Sequence, residues 1–218
     1  MKVTQEFIDR LNLFKGLDTE RDIEYPFLFD WLPEPPGTLL DVGCDESELL
    51  IELNELGFNA IGIDMRDYGL PCDNFIQGDA RDMPFGDRMM DVSFSISTIE
   101  HVGLVETPYF TDDVFDEDGD LKVVKEMIRV TRPGGLILIT IPLGDGDGDQ
   151  RKWIRFYDAA RVGRIAELLG EGGFNPRIFA YVQVNKRWIP TDLETACRVY
   201  SSDVHIYSCC CMAAPGTR

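Results

Sequence analysis

The sequence predicts an α/β protein in which a mostly parallel sheet is covered by helices on both faces. Three observations predict it. Between Thr38 and Ser95 short apolar runs alternate with stretches of helical periodicity, as repeated βαβ units require. A proline cluster, Pro33-Glu-Pro-Pro-Gly37, separates this region from a helical amino-terminal segment, because proline removes donors and restricts the residue before it. Near the carboxyl end, two strand-like segments follow one another with only a polar connection between them, which suits an antiparallel closing pair.

In chain order, apolar positions recur at helical spacing from Thr4 to Leu13 (Phe7, Ile8, Leu11, then Phe14). A second such pattern runs from Asp18 to Leu32, with Asp18 or Thr19 as N-cap. Strands are expected at Thr38 to Val42, Asn59 to Ile63, Asn74 to Gln77 and Asp91 to Ser95, with a helix over Ser47 to Leu56 after the first. Asp120 is read as the cap of a helix reaching Val130. Arg132-Pro-Gly-Gly135 then turns tightly into Leu136 to Ile141, a run apolar enough to be central in the sheet. After a Gly/Asp loop (Gly144 to Asp149) comes a helix over Asp158 to Leu169. Strands at Arg177 to Val184 and Val204 to Met212 follow, joined through Trp188 and Pro190. That makes seven strands in a single domain spanning 1–218, with a helical segment at 1–36, an α/β core at 37–212 and a tail at 213–218.

Composition narrows the function. A net charge of −18 repels a phosphate backbone, whose binding draws on several Lys and Arg contacts, so nucleic acid is excluded as the expected partner. The acid surplus fits a salt-rich cytoplasm or a merely well-solvated surface. The amino terminus lacks a signal-peptide pattern and no stretch approaches the ~20 apolar residues of a membrane span, which predicts a cytoplasmic protein without a membrane partner. The six cysteines, including Cys209-Cys210-Cys211, have neither redox nor metal-ligand spacing and are read as reduced and structural.

In an open parallel sheet a ligand binds at the carboxyl ends of the strands, so the residues just after each strand carry the functional reading. After the first strand, Asp41-Val-Gly-Cys-Asp-Glu-Ser47 turns into a helix, and Gly43 lets a ligand approach the backbone. A pyrophosphate site would show GxGxxG there. The acids at Asp45 and Glu46 oppose phosphate and suit a ligand bearing positive charge, which disfavours a nicotinamide-dependent oxidoreductase. Asp64, 21 positions after Gly43, ends the second strand and can accept from two ribose hydroxyls. Asp79 after the third can accept from an adenine amine while the Ala80 N–H faces a ring nitrogen. The alternative for these three residues is ordinary turn and capping chemistry.

These parts occur in the order of a known family. With the glycine turn, Asp64, Gly78-Asp79, Ser97-Thr-Ile-Glu-His101 and Arg132-Pro-Gly-Gly135, the chain from about Thr38 to Cys211 resembles the class I S-adenosylmethionine-dependent methyltransferases, although Asp45 and Ser47 depart from the usual glycine-richer turn. The resemblance implies the three-layer Rossmann-like methyltransferase fold, its last strand inserted antiparallel between the fifth and sixth. It also implies S-adenosylmethionine as cofactor, bound by Asp41, Gly43, Cys44, Asp45, Asp64, Met65, Gly78, Asp79, Ala80, Ser97 and Thr98. The GCDES turn, Tyr25-Pro26 and Trp153 to Tyr157 are similar to a microbial branch that methylates small molecules or surface glycans. The implied activity is methyl transfer to a small-molecule or glycan-like acceptor, and the alternative is a non-catalytic S-adenosylmethionine-binding sensor or scaffold.

For the chemistry, His101 is one of two histidines and follows the fourth strand, where a base would stand, with Glu100 orienting its ring or capping the next helix. Packing at a helix start is the other reading of the pair. No metal is expected, since Ser97 stands where a Glu-x-x-Glu-His motif needs its first acid, and neither Asp112 to Asp120 nor Asp145 to Asp149 has EF-hand spacing. Those two loops are expected over the acceptor. Trp153, Arg155 and Tyr157 form either an acceptor wall or core packing, and Arg21, Glu24 and Tyr25 either a lid over the methionine end or a plain docking face.

Overall fold

The computed structural model describes residues 19–44, 48–67, 69, 73–105, 115–145, 154–199 and 206–217. The expected helix at residues 4–13 lies outside them. Among the described residues α1 (Arg21–Trp31) leads into β1 (Thr38–Val42), α2 (Leu49–Glu55), β2 (Asn59–Asp64), β3 (Phe75–Gln77) and β4 (Met90–Ile96). A 3₁₀ turn (Ile99–His101) precedes α3 (Gly119–Val130), β5 (Thr131–Pro142), α4 (Ala159–Glu171), β6 (Arg177–Val184), β7 (Arg187–Thr191), α5 (Leu193–Cys197) and β8 (Ser208–Pro215).

The strands form one sheet in the order β3-β2-β1-β4-β5-β8-β6-β7. β1 to β5 pair in parallel, and β8 runs antiparallel between β5 and β6, from Leu136↔Pro215 to Pro142↔Cys209 on one side. This is the Rossmann-like methyltransferase arrangement. Sequence order reverses between β1 and β4, so their carboxyl ends open the crevice where such sheets bind ligands.

Alternation along the strands divides the core in two. Leu39, Val92, Phe94 and Leu138 point with Cys209 and Cys211 toward α1 and α2, where Leu28, Phe29, Leu50 and Leu53 meet them. Leu40, Val42, Ile137, Ile139, Ile141 and Cys210 point the other way, against Val124 and Met127 of α3 and Val162 and Ile165 of α4. Each such side chain, once buried, contributes roughly 1.5–3 kcal/mol of transfer free energy. The cysteine run is thus core on both faces. Burial pushes the Cys209 and Cys210 thiols well above their ordinary range, which keeps them protonated and poorly nucleophilic.

Four features depart from the sequence reading. Among the described residues the sheet has eight strands, because the connection through Trp188 and Pro190 is itself β7, hairpinned to β6 from Ala180↔Thr191 to Val184↔Arg187. Its two-residue turn is Asn185-Lys186, both with positive φ (50° and 64°), as a hairpin matching strand twist requires. Pro190 is tolerated since β7 is the sheet margin. Arg132 to Gly135 form no separate turn but a bulge inside β5, where pairing jumps from Met90↔Thr131 to Val92↔Leu136. Asp120 does not cap α3. It lies buried in the first turn and accepts from Arg161 at 2.5 Å, while Asp118 holds the flanking position without a side-chain cap bond. Glu20, rather than Thr19, flanks α1, also without a side-chain cap. Asp158 does cap α4, accepting from the Arg161 N–H at 2.7 Å.

Phe94 is fully buried at the centre of the α1-side core. Phe94→Ala is expected to cost about 3–5 kcal/mol, read as a lower urea midpoint at unchanged slope. A loss under ~1 kcal/mol would show that the neighbouring helices collapse onto the void.

Candidate active site

The crevice begins where β1 ends. Gly43 has φ +81°, and its N–H donates to Ile63 O at 2.8 Å, so the chain folds back beside β2. A Cβ on Gly43 would stand 2.0 Å from Thr98 Cγ2, because the Thr98 side chain fills that space and its hydroxyl donates to Gly43 O at 3.3 Å. The glycine thereby lets the exits of β1 and β4 touch. Cys44 is buried, and its sulfur sits where a Cβ on Gly62 would be, at 2.6 Å, so a second glycine seats it. Asp45 lies outside the described residues.

The adjoining exits are tied in the same way. Gly78 N–H donates to Asp64 O at 2.9 Å, and the Gln77 side-chain amide to Met65 O at 3.0 Å, which fixes the end of β3 beside that of β2. Asp64 holds its own turn by accepting from the Arg66 N–H at 2.9 Å. Asp41 is almost wholly buried, and burial together with neighbouring Asp64 pushes its carboxyl up to about 8. The structure brings Asp41, Gly43, Cys44, Asp64, Met65, Gly78, Asp79 and Ala80 to the exits of β1, β2 and β3, with Ser97 and Thr98 at β4.

Sequence reasoning missed the partner of Asp79. Arg81 Nε lies 3.0 Å from both oxygens of Asp79 and Nη2 is 2.9 Å from Oδ2. The signal was present in Asp79-Ala-Arg81, whose i,i+2 spacing across a turn permits a bidentate grip. Arg81 also reaches toward Asp116 at 3.9 Å.

On the far side of the crevice α1 supplies Glu24, which is fully buried. Its Oε1 accepts from Ser97 Oγ at 2.5 Å and Thr140 Oγ1 at 2.7 Å, and its Oε2 from Arg21 Nη1 at 2.6 Å. The Arg21 and Glu24 side chains therefore meet the exits of β4 and β5. Thr140 was not singled out, yet a lone hydroxyl near the carboxyl end of an apolar strand is the kind of residue that takes such a role. Ser97 has φ +46°, a left-handed position sparsely allowed for a side-chain-bearing residue. Its N–H is fixed by Thr140, through both the carbonyl and the hydroxyl oxygen.

Glu100 and His101 follow in the 3₁₀ turn. The turn has no side-chain cap, so Glu100 does not cap it, and Glu100 Oε1 is 4.0 Å from His101 Nε2, beyond hydrogen-bond distance. Behind them the segment after β5 crosses over. Arg155 N–H donates to Glu100 O at 2.9 Å, its guanidinium meets Val102 O (3.4 Å), Glu117 O (3.2 Å) and Asp120 (3.7 Å), and Tyr157 is wholly buried. Arg155 and Tyr157 thus serve packing and loop anchoring, and Trp153 lies outside the described residues. Burial, reinforced by Asp120, raises the Tyr157 hydroxyl well above its ordinary range.

The "Methyltransferase domain" family model matches residues 40–139, which run from β1 into β5 and include every exit just described except that of β5. Among solved structures, the 1,6-didemethyltoxoflavin-N1-methyltransferase of Burkholderia thailandensis, with bound 1,6-didemethyltoxoflavin and S-adenosylhomocysteine, superposes with a TM-score of 0.56 at 15% identity, covering 84% of this chain and 72% of that one. An S-adenosylmethionine-dependent methyltransferase of Methanosarcina mazei gives 0.58 at 15% identity, with 89% and 99% covered. These likenesses show a shared fold. No described helix is long and apolar enough to cross a membrane. The stretch that matches a methyltransferase domain, residues 40–139, is thus the one that carries the glycine turn and the acidic strand exits, on a sheet with the strand order of the Rossmann-like methyltransferase fold.

Proposed function

We propose that this methyltransferase acts on a small-molecule or glycan-like acceptor seated over the exits of β4 and β5. The observation that carries the site is the contact of Gly43 with Thr98, which leaves no room for a Cβ and gathers the strand exits into one crevice. The residues present fit the cofactor. Gly43 and Cys44 bring the backbone of the glycine turn to the donor, Asp64 faces the ribose hydroxyls, and Gly78, Asp79 and Ala80 face the adenine, with both Asp79 oxygens also held by Arg81. Met65 covers the nucleoside, while Asp41, Ser97 and Thr98 receive the methionine end. When bound, S-adenosylmethionine would supply an electrophilic methyl group on a sulfonium, for transfer to an acceptor nucleophile with the neutral thioether as leaving group.

The protein's own contribution is positioning and removal of a proton. Arg21 and Glu24 shield the β4 and β5 exits from water. His101, a fifth exposed beside them, is the proposed base for a hydroxyl or protonated amine. The strongly acidic surface supports a neutral or cationic acceptor over nucleic acid, and a cytoplasmic setting.

Calorimetry should show saturable S-adenosylmethionine binding. Asp64→Ala should weaken it by about 2–3 kcal/mol, roughly 30- to 150-fold, for two lost charge-assisted hydrogen bonds. No binding at millimolar ligand would sink the assignment of this crevice. With an acceptor found by following S-adenosylhomocysteine production, His101→Gln should lower kcat by ~10²-fold or more while cofactor affinity holds. Unchanged turnover returns His101 to a packing role.

A further inference from the structure

Carboxyl groups from several elements lie near the strand exits, raised first by burial and then by one another's charge. Asp41 faces Asp64 and Arg21. Glu20, just ahead of α1, faces Glu24, Arg21 and Asp22, while Glu100 faces Glu24, Arg21 and Glu20. Arg21 is the cation common to all three, and it is already in contact with Glu24 at 2.6 Å. Glu100 is the extreme member. It is 1% exposed, and its Oε2 has no hydrogen-bond partner among the described residues. Around it, His101 Nε2 stands 4.0 Å from the other oxygen, beyond hydrogen-bond distance, Arg155 N–H bonds the Glu100 carbonyl, and the buried Tyr157 hydroxyl is held well above its ordinary range.

We propose that Glu100, with Glu20 as its neighbour, reads ligand charge and makes the crevice hold the sulfonium form of the cofactor in preference to the neutral-sulfur product. The inference rests on the cofactor reading above. An uncompensated carboxylate is strongly disfavoured in a site removed from water, so burial keeps Glu100 protonated and, with Glu24, pushes Glu20 up to about 7. Beside a sulfonium the ionised form becomes the favoured one, and Glu100 loses its proton to solvent. After methyl transfer the sulfur is neutral, that stabilisation is gone, and Glu100 takes a proton back. S-adenosylhomocysteine keeps the ammonium and carboxylate of the donor, so the sulfonium alone separates the two ligands. The sign follows: raising pH through the range of these groups removes the cost of deprotonation and favours the donor over the product.

The test is calorimetry of the whole chain with S-adenosylmethionine and with S-adenosylhomocysteine, from pH 6 to 9, in two buffers of different ionisation enthalpy. The expected result is greater proton release with the donor near pH 7, and a donor-to-product affinity ratio that rises about tenfold between pH 6 and 8. Glu100→Gln, which mimics the protonated acid, should flatten that rise while product affinity holds, and Glu20→Gln should shift it to lower pH. Equal proton counts and equal pH slopes, with both ligands bound, overturn the inference and leave the cofactor reading standing. A slope that survives Glu100→Gln and disappears in Asp41→Asn also overturns it. Absence of binding by either ligand overturns both readings.

Discussion

One buried carboxylate organises the crevice. Glu24 arrives from a helix ahead of the sheet and is satisfied by hydroxyls from the ends of β4 and β5, with Arg21 completing its shell. Removing a carboxylate from water costs several kcal/mol unless hydrogen bonds replace the lost hydration. Here three donors at 2.5–2.7 Å supply them. Because the two hydroxyl donors come from the exit of β4 and from β5, α1 has one position in which Glu24 is satisfied. The left-handed backbone at Ser97 is held by the same set of bonds, so the path of the chain out of β4 and the placement of α1 are one arrangement.

β7 reinforces that placement from the opposite edge of the sheet. Trp188 Nε1 donates to Thr19 O at 3.0 Å, and Phe27 and Trp31 pack against Phe179 of β6 with ring centres 5.9 and 6.1 Å apart. The helix over the crevice is therefore anchored by a polar contact near its start and an aromatic cluster along its length. Polar side chains inside the central strands do similar work on a smaller scale. Ser93 and Thr131 pair at 2.7 Å, and Ser95 Oγ donates to Val42 O at 3.1 Å, joining β4 to both of its neighbours. Each is buried and partnered, as low-dielectric surroundings demand.

Much of the fold was legible because its signals are local. The strand at Thr38–Val42 and that at Arg177–Val184 fall where apolar patterning places them, and the glycine at position 43 announces a turn that no other residue could occupy without meeting Thr98. What escaped depends on pairing between distant residues or on unusual turn chemistry. Asn185-Lys186 makes a hairpin without the glycine that normally marks one, so β7 read as a connection. Asp120 has the sequence context of a cap, and only the approach of Arg161, 41 residues later, turns it inward. Glu24 and Thr140 are 116 residues apart, a distance over which periodicity carries no information. In the candidate site, the strand-exit glycines and acids were readable from position alone, while the Asp79–Arg81 grip and the anchoring role of Arg155 emerged only with side-chain geometry.

The proline in β7 has a consequence for how the sheet meets its surroundings. A marginal strand ordinarily offers a row of free N–H groups to any extended chain that approaches. Pro190 deletes one donor from that row, Arg187 places a charge near its start, and the strand is only five residues long. The same segment that steadies α1 on its inner side is thus a poor template on its outer side, which suits its place at the margin of the sheet that the described residues form.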